Sequence, residues 1–202
     1  MKRRHFLAAA TAAFAALAAP AMAQKIPLGE LAGYINGITS AKSGFTQVND
    51  DGSITTGEIF IKRPGRARFD YAAPDNSLVI AGGGRVAIFD PKSNVPPEQF
   101  PLARTPLNLI LGRNIDFSTS NMIVGHSEDG EATVVTVQDP EYPEYGNIQL
   151  KFTGNPIQLR QWVITNDAGQ QTTVIMQSLE KTSSIPSRLF NITQEIQARG
   201  LN

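Results

Sequence analysis

Few side chains in this sequence could carry out chemistry, and histidine is the first to consider. The chain has two histidines and no cysteine. Because zinc in proteins is held mainly by histidine and cysteine, we do not expect a zinc site. Only one of the two histidines, His126, lies beyond the first 23 residues. A Ser-His-Asp hydrolase would have to use it as its base. His126 lies in "VGHSEDG", at the mouth of a predicted hairpin, where a solvated histidine without a catalytic role is the simpler interpretation.

Aspartates and glycines offer two further kinds of site. Asp70 and Asp90 each end a predicted strand, where aspartate commonly caps a turn, although a carboxylate pair for glycoside cleavage stays open. No spaced run of aspartates resembles a calcium-binding loop. The glycines at 82–84 lead into a predicted strand, "RVAIFD", whereas a phosphate-binding loop leads into a helix. We therefore expect a hairpin turn there, and we expect neither a metal nor another cofactor.

One arginine is the most unusual feature of the sequence. In "GEIFIKRPGRARFDYAAP" (57–74), Ile59 and Ile61 mark one face of a predicted strand as apolar, and Arg63 follows on the same parity. A cation next to an apolar surface costs on the order of several kcal/mol unless it is hydrogen-bonded. Arg63 therefore either extends into solvent at the end of the strand, before Pro64, or forms hydrogen bonds within the fold.

The first 23 residues have the three parts of a secretory signal peptide. These parts are a basic start, an apolar middle and "AMA" before Gln24. We predict cleavage after Ala23 and export to the bacterial periplasm or beyond it. The letters "RRHFL" resemble the twin-arginine export motif, and an ordinary Sec signal can also contain two arginines, so both export routes stay open.

Residues 24–202 are predicted to form a single domain. Their number, 179, is typical of one domain, and no internal repeat divides them. Removing Lys2, Arg3 and Arg4 leaves 15 Lys and Arg against 18 Asp and Glu, a balance that gives no reason to expect nucleic acid as a partner. Because the chain has no disulfides, an apolar core must hold the domain together.

Hydrophobic periodicity predicts a mainly β fold. After the first forty residues, apolar and polar residues alternate in short segments with turn signals between them, such as Asp51-Gly52. This pattern describes an antiparallel meander of about nine to eleven strands. The proline-rich segment 90–106 is expected to be irregular, and "IPSRLFNI" (185–192) is expected to form a last strand.

Two helices are predicted beside the strands. The first follows from the helical spacing of Leu28, Leu31, Ala32, Ile35 and Ile38. The second lies in "TPLNLILGRN", with Thr105 as N-cap, Pro106 at the first helical position and Gly112 as the stop. Glycines weaken the first helix, and the second is too apolar to lie in water. The two helices either complete the core or form a lid over an apolar cavity inside a curved sheet.

An ordered set of motifs resembles the periplasmic outer-membrane lipoprotein carrier proteins, the LolA-like family. The set comprises "FTQ", a strand that ends in "RP", an "RF-Y" strand, and a strand pair joined by a glycine turn, all within residues 44–90. The stretch "TPLNLILG" resembles the family's short helix, and the likeness extends more weakly through the C-terminal strands. Two features depart from the family pattern, namely the glycine-rich first helix and the segment 91–101.

The resemblance implies an open, incomplete antiparallel barrel with short helices across its mouth. It also implies a monomeric chaperone, not an enzyme, that carries the acyl chains of lipoproteins across the periplasm. An inner-membrane lipoprotein-releasing ABC transporter would supply the acylated lipoproteins. An acceptor in the outer membrane, or that membrane itself, would receive them.

The resemblance also suggests a role for Arg63, which occupies the arginine position of the family's "RP" motif. The C-terminal carbonyls of short helices are unpaired acceptors with partial negative charge. We hypothesise that Arg63 latches the lid by bonding to these carbonyls while the cavity is empty, and that cargo breaks those bonds, as the family's arginine is thought to do. The alternative is the solvated strand-end arginine described above.

The expected lining of the acyl-chain cavity follows from strand parity and from the family motifs. Each of these apolar residues has ordinary core packing as its alternative, and Phe45 is expected to serve packing alone. The candidates are Leu31 and Ile35 from the first helix, Ile59, Ile61, Ala67, Phe69, Tyr71, Val86 and Ile88 from the strands, and Leu107 and Ile110 from the second helix.

Three functions remain possible on the sequence alone. The first is lipoprotein carriage. The second is a LolA-like lipid-binding sensor or adaptor, or a carrier of another envelope lipid. The third is an envelope hydrolase that uses His126. The single predicted domain, with no appended effector region, favours the first.

Overall fold

The structure of the protein is a computed structural model that describes residues 25–118 and 121–201. The predicted signal peptide, with its export motif and its cleavage site after Ala23, lies outside the described residues. Within those residues, no helix has the length and apolar character needed to cross a membrane.

One antiparallel sheet forms most of the described chain. Its strands are β1 (Ser40–Val48), β2 (Ile54–Lys62), β3 (Ala67–Tyr71), β4 (Leu78–Gly82), β5 (Arg85–Phe89), β6 (Glu98–Pro101), β7 (Ile123–Asp129), β8 (Ala132–Gln138), β9 (Asn147–Thr153), β10 (Gln158–Thr165), β11 (Gln171–Met176) and β12 (Glu180–Lys181). The α-helices of the described residues are α1 (Leu28–Asn36), α2 (Asn108–Leu111) and α3 (Ile192–Ala198). Short 3₁₀ turns lie at Leu102–Arg104, Pro143–Tyr145 and Ser187–Phe190.

The sheet is an open meander. The order of its strands is β6-β5-β4-β3-β2-β1-β11-β10-β9-β8-β7, and β12 pairs with the start of β1. Every pairing is antiparallel. In the described residues, β6 and β7 form the two ends of this order and do not pair with each other. The predicted fold class, an incomplete antiparallel barrel with short helices, is confirmed.

The two faces of the sheet carry two separate apolar cores. We call the face that α1 and α2 cover the inner face. Its core joins side chains of the strands, such as Ile59 and Phe69, to Leu31 of α1 and Ile110 of α2. The opposite, outer face carries a smaller core under α3. This second core consists of Leu78, Ile80, Ala87 and Phe89, packed against Ile192, Ile196 and Leu201.

Glycines allow the turns that sequence analysis placed at residues 51–52 and 82–84. Gly52 has a φ of 79°, and Gly83 and Gly84 have φ values of 58° and 77°, in the left-handed region that glycine adopts without strain. Gly82 has no room for a side chain, because a Cβ there would collide with the carbonyl oxygen of Phe190. The glycine triplet is thus the predicted hairpin turn and leads into β5.

The described residues contain twelve strands, one more than the upper end of the expected nine to eleven, and two short ones were not predicted. β6 lies in the segment that was expected to be irregular, because Glu98–Pro101 pairs with β5. β12 is a two-residue strand that pairs with β1 through Ala41 and Lys42. Neither has an alternating apolar pattern, and all four residues of β6 are exposed.

The expected last strand at 185–192 is wrong. These residues form the 3₁₀ turn Ser187–Phe190 and the start of α3. Asn191 is the N-cap of α3, since its side chain accepts a hydrogen bond from the Gln194 N–H at 3.0 Å. Ile192 and Ile196 are one helical turn apart and both pack on the outer core. This helical spacing is not visible within 185–192, because that segment ends at Ile192.

The expected N-cap of the second helix is also wrong. The Thr105 hydroxyl donates to the Leu102 carbonyl at 2.9 Å, and α2 begins only at Asn108. Gly112 directly follows the last helical residue, as predicted. The first helix ends at Asn36, so Ile38 lies beyond it although it is buried.

An ion-pair network fastens α3 to the outer face. Arg68 of β3 donates to both carboxylate oxygens of Asp70 at 2.9 and 3.0 Å, and to Glu195 of α3 at 3.0 Å. Arg199 donates to the other oxygen of Glu195 at 2.9 Å. Burial alone would raise the pKa of Glu195, but hydrogen bonds from Arg199 and Arg68 outweigh it, so this pKa is lower than its ordinary value.

We expect Glu195→Gln to lower the free energy of unfolding near pH 7 by about 1–3 kcal/mol, because both arginines lose a charged partner. The pKa of Glu195 is lowered by folding. Its contribution is therefore complete above the unfolded-state pKa, about 4.3, and is lost as the pH falls through the folded-state value. Urea denaturation of variant and parent near pH 7 and near pH 3 measures this difference, which should shrink at the lower pH.

The matched control is Glu131→Gln, because Glu131 is exposed in the turn before β8. Its effect should stay within about 0.5 kcal/mol at either pH. A loss in Glu195→Gln that is equally large near pH 7 and near pH 3 would contradict the assigned role of the carboxylate.

Candidate functional site

Arg63 lies just after β2 and contacts the C-terminal ends of both inner-face helices. Its Nε and Nη2 donate to the carbonyl oxygen of Gly112, directly after α2, at 3.1 and 2.6 Å. Its Nη1 donates to the carbonyl oxygen of Ile35 in α1. Its Nη2 also donates to Oδ1 of Asn36 at 3.1 Å. One guanidinium thus connects the sheet to α1 and α2.

Electrostatics explains why a cation is tolerated at this position. Arg63 is half-buried, and the loss of solvent lowers the pKa of its guanidinium, which nevertheless stays protonated at neutral pH. The C-terminal carbonyls of helices lack intrahelical partners and carry partial negative charge. The contacts to helix carbonyls that we expected of Arg63 are present, and its function as a latch stays a prediction.

Asn36 is a part of this site that sequence reasoning missed. Its Nδ2 donates to the carbonyl oxygen of Ile115 at 2.7 Å, and its Oδ1 accepts from the N–H of Ile115 at 3.0 Å. This reciprocal pair joins the end of α1 to the segment that follows α2. The two residues are 79 positions apart, and no sequence pattern indicates their contact. A backbone hydrogen bond also joins the turn between β2 and β3 to α2. It runs from the Gly65 N–H to the carbonyl oxygen of Leu111, at 2.8 Å.

An apolar hollow of about 210 Å³ lies on the inner face of the sheet. It carries no charged side chain, and three of its residues, Phe69, Tyr71 and Leu107, were expected to line a cavity. The full lining is Gln47, Phe69, Tyr71, Val79, Leu107, Trp162, Ile164, Thr172 and Val174. A dry cavity of about 150 Å³ admits benzene, whereas pockets for larger ligands measure about 300–1,000 Å³. The hollow therefore has room for a small part of a hydrocarbon chain.

The polar groups of the hollow lie next to its aromatic rings. The Tyr71 hydroxyl donates to Oε1 of Gln47 at 2.6 Å, and Nε2 of Gln47 donates to Asn49 at 2.6 Å. Burial raises the pKa of Tyr71 to about 12, so the phenol is neutral at physiological pH. Trp162 packs its ring against Phe69 with 6.2 Å between centroids. Strand parity could have identified Gln47, two residues after the buried Phe45.

Most of the other expected lining residues lie in the closed core. They pack in the cluster between the sheet and the helices and do not line the hollow: Leu31, Ile35, Ile59, Ile61, Ala67, Val86 and Ile110. Their contact with an acyl chain stays a prediction. Phe45 serves packing, as expected, with edge contacts to Phe69 and Tyr71.

Ile88 departs from the expected lining. It shares the face of β5 that carries Val86, but it is 41% exposed and belongs to neither core. Its cross-strand neighbours are Val79 of β4 and Glu98 of the exposed edge strand β6. Strand parity assigned Ile88 to a face correctly, yet no buried cluster extends to this position.

The residues considered for catalysis have structural partners. His126 lies within β7, half-buried and not at a solvated hairpin mouth, and its Nε2 is 3.0 Å from the carbonyl oxygen of Ile26. Asp90 caps a turn by accepting from the Lys92 N–H at 2.9 Å, whereas Asp70 binds Arg68. No group of three or more potential metal ligands occurs within residues 25–118 and 121–201.

Comparison with known proteins gives a consistent result. The family model described as "Outer membrane lipoprotein carrier protein LolA" matches residues 36–193. The outer-membrane lipoprotein carrier protein of Chromohalobacter salexigens is 26% identical over 193 residues, covering 91% of this chain and 90% of the relative. That of Cupriavidus pinatubonensis is 24% identical over 206 residues, covering 95% of each chain. A solved LolA superfamily protein from Nitrosomonas europaea superposes with a TM-score of 0.44 at 9% identity, covering 82% of this chain and 98% of that one.

We expect Asn36→Ala to speed amide hydrogen exchange in residues 28–36 and 108–115 by about tenfold. The substitution removes the bonds of Asn36 to Ile115 and Arg63, and a loss of about 1.4 kcal/mol corresponds to tenfold in the local opening equilibrium. Hydrogen-exchange mass spectrometry measures this effect, with exchange in β9 and β10 unchanged.

Asn114→Ala is the matched control, because Asn114 lies in the same connecting segment and its side chain is exposed. It should leave exchange in both helices as in the parent. Equal exchange rates in Asn36→Ala and Asn114→Ala would show that Asn36 does not hold the two helices in place.

Proposed function

The chain belongs to the family of outer membrane lipoprotein carrier proteins, LolA, and on this premise we propose that it carries acylated lipoproteins through the periplasm. The acyl chains would bind between the inner face of the sheet and the helices α1 and α2. The observation that carries the proposal is the uncharged hollow at this place, beside two helices that Arg63 holds through hydrogen bonds alone.

In this proposal the cavity enlarges when the lid opens. By the lid we mean α1 and α2 together with the segment 112–117. A hollow of about 210 Å³ is smaller than the roughly 300–1,000 Å³ of pockets for larger ligands, so acyl chains would displace the lid from the core beneath it. The core residues named above, from Leu31 to Ile110, would then contact the hydrocarbon.

The energies involved allow both loading and release. Each hydrogen bond to a charged donor is worth about 1.5–3 kcal/mol net, and Arg63 uses three acceptors, so breaking the latch costs on the order of 5 kcal/mol. Burial of one CH₂ group contributes about 0.8 kcal/mol. About seven CH₂ groups of additional burial therefore outweigh the latch, while the broken bonds lower the affinity of the loaded state.

The pathway follows the family's role. An inner-membrane lipoprotein-releasing ABC transporter would load the monomeric carrier, and an acceptor at the outer membrane, or that membrane itself, would receive the cargo. Export would use the N-terminal signal peptide, with cleavage after Ala23. The protein would act by binding and release, without catalysis or a cofactor.

Co-purification from living cells tests the proposed cargo. We expect the tagged protein, isolated from the periplasm, to carry acylated lipoproteins that mass spectrometry identifies. Leu107→Glu, which introduces a charge into the hollow, should reduce their yield at least tenfold, because burying an unpaired carboxylate is costly. Free envelope lipid in place of lipoproteins would favour the carrier of another lipid or a sensor, and the absence of any lipid would contradict carriage.

Arg63→Leu should uncouple binding from transfer. Without the latch the lid opens at lower cost, so we expect a fluorescent fatty acid to bind as tightly as in the parent or several-fold more tightly. Its transfer to phospholipid vesicles should slow by about tenfold, because the loaded state is no longer destabilised by broken bonds. Fluorescence titration and stopped-flow transfer measure the two quantities.

The control for this variant is Arg188→Leu, since Arg188 is exposed on the outer face of the molecule. It should bind and transfer the probe as the parent does. Transfer at the parental rate by Arg63→Leu would contradict the latch.

A further inference from the structure

One buried hydrogen-bond donor in the hollow has no partner. Trp162 of β10 is 1% exposed and faces the hollow between Leu150 and Val174 of the neighbouring strands. Its indole N–H has no acceptor among the described residues. Buried tryptophan usually finds a partner for this group, and leaving it unpaired costs about 1–3 kcal/mol. Two other buried side-chain atoms are also unpaired, on Thr55 and Asn147, but neither residue lines the hollow.

The neighbours of Trp162 do not satisfy this donor. The Phe69 ring meets the indole at 73°, and an aromatic face is a weak acceptor compared with a carbonyl. Gln47 and Tyr71 are bonded to each other through Oε1 of Gln47 and the phenol. The indole N–H is covered in this closed arrangement, and, having no acceptor among the described residues, it would bind one that a ligand brings when the surrounding lining moves.

The chemistry of the hollow restricts that ligand. The lining residues include no cation, and Tyr71 is neutral because burial raises its pKa to about 12. A free carboxylate would enter without a counter-charge, at a high cost in an apolar environment. An ester or amide carbonyl on a hydrocarbon chain is neutral, and its oxygen accepts a hydrogen bond from the indole while the chain occupies the apolar part of the hollow.

We propose that the hollow recognises a neutral acyl group through a hydrogen bond from the Trp162 indole N–H to its ester or amide carbonyl. This inference rests on the proposed function, because it specifies which atom of an acylated lipoprotein is recognised in the same cavity. Leu107 directly precedes α2 and lines the hollow with Trp162, so movement of α2 would carry Leu107 away from the indole. The site then distinguishes acyl chains from plain alkyl chains and from free fatty acids.

Matched ligands test the assignment. Two synthetic lipopeptides with the same peptide and the same chain length are compared, one with ester-linked acyl chains and one with ether-linked alkyl chains. We expect the full-length mature protein to bind the ester form about tenfold more tightly in isothermal titration calorimetry. A fatty acid of equal chain length should bind more weakly than the ester form.

Variants of the hollow assign the effect to the N–H group. Replacing Trp162 with benzothienylalanine, whose sulfur stands where the N–H was, retains the shape of the ring and should abolish the preference for the ester. Trp162→Phe should do the same with some loss of affinity for both ligands. Ile175→Ala is the control, because Ile175 is exposed on the face of β11 opposite to the buried Val174, and it should retain the tenfold preference.

The outcomes separate this inference from the proposed function. If the parent protein binds the ester and ether forms equally well, carriage stands and the role of Trp162 is wrong. If the preference persists in the benzothienylalanine variant, another group recognises the carbonyl and the assignment is likewise overturned. If the protein binds neither lipopeptide, both the inference and the proposed function fail.

Discussion

The arrangement of the inner face depends on one half-buried cation. Arg63 has the same strand parity as Ile59 and Ile61, two buried residues of β2. Its guanidinium is tolerated next to this apolar face because it donates hydrogen bonds to carbonyl oxygens at the C-terminal ends of α1 and α2. Neither helix is long enough to be stable in water, since α1 has nine residues and α2 has four. Both therefore need contacts from outside themselves, and these come from Arg63, Asn36 and the apolar core. In the proposed carrier, a helix pair held in this way would leave the sheet while the strands stay paired.

A second arginine shows the difference between an anchor and a releasable contact. Arg68 lies on the outer face and binds two carboxylates, from Asp70 and Glu195, so its charge is neutralised within the fold. Arg63 binds neutral carbonyl and amide oxygens, which water can replace without leaving an unpaired anion behind. The polar contacts of the outer helix α3 are thus charge pairs, whereas those of the inner helices are made to neutral oxygens. In the proposed carrier, water would replace the polar contacts of the inner helices more readily than the charge pairs of the outer face.

Much of the fold could be predicted from local pattern, and much of the site could not. Alternation and turn residues located the strands, and parity placed Ile59 and Phe69 on the buried face correctly. The short edge strand β6 was missed because it has no apolar alternation and is defined only by its pairing with β5, and α3 was missed because all but its first residue lies beyond the segment 185–192. Parity also assigned Ile88 to the inner face, but whether a side chain is covered depends on the positions of other elements. The bonds of Asn36 to Ile115 and of Arg63 to Gly112 join residues 79 and 49 positions apart, and no local pattern indicates them.

The packed state of the inner core has a consequence for a carrier. From the sequence we expected an unfilled cavity between the sheet and the two helices. The side chains under α1 and α2 largely fill that space and leave a hollow of about 210 Å³. Apolar cargo would then replace protein contacts that already exclude water, and only the additional apolar area that it buries would contribute to affinity. A permanently open cavity of the same size would gain the full burial energy of the acyl chains and would retain them tightly. If Arg63 favours the closed state as proposed, binding would be limited to the difference between two well-packed arrangements, which is the condition under which a cargo can be both accepted and released.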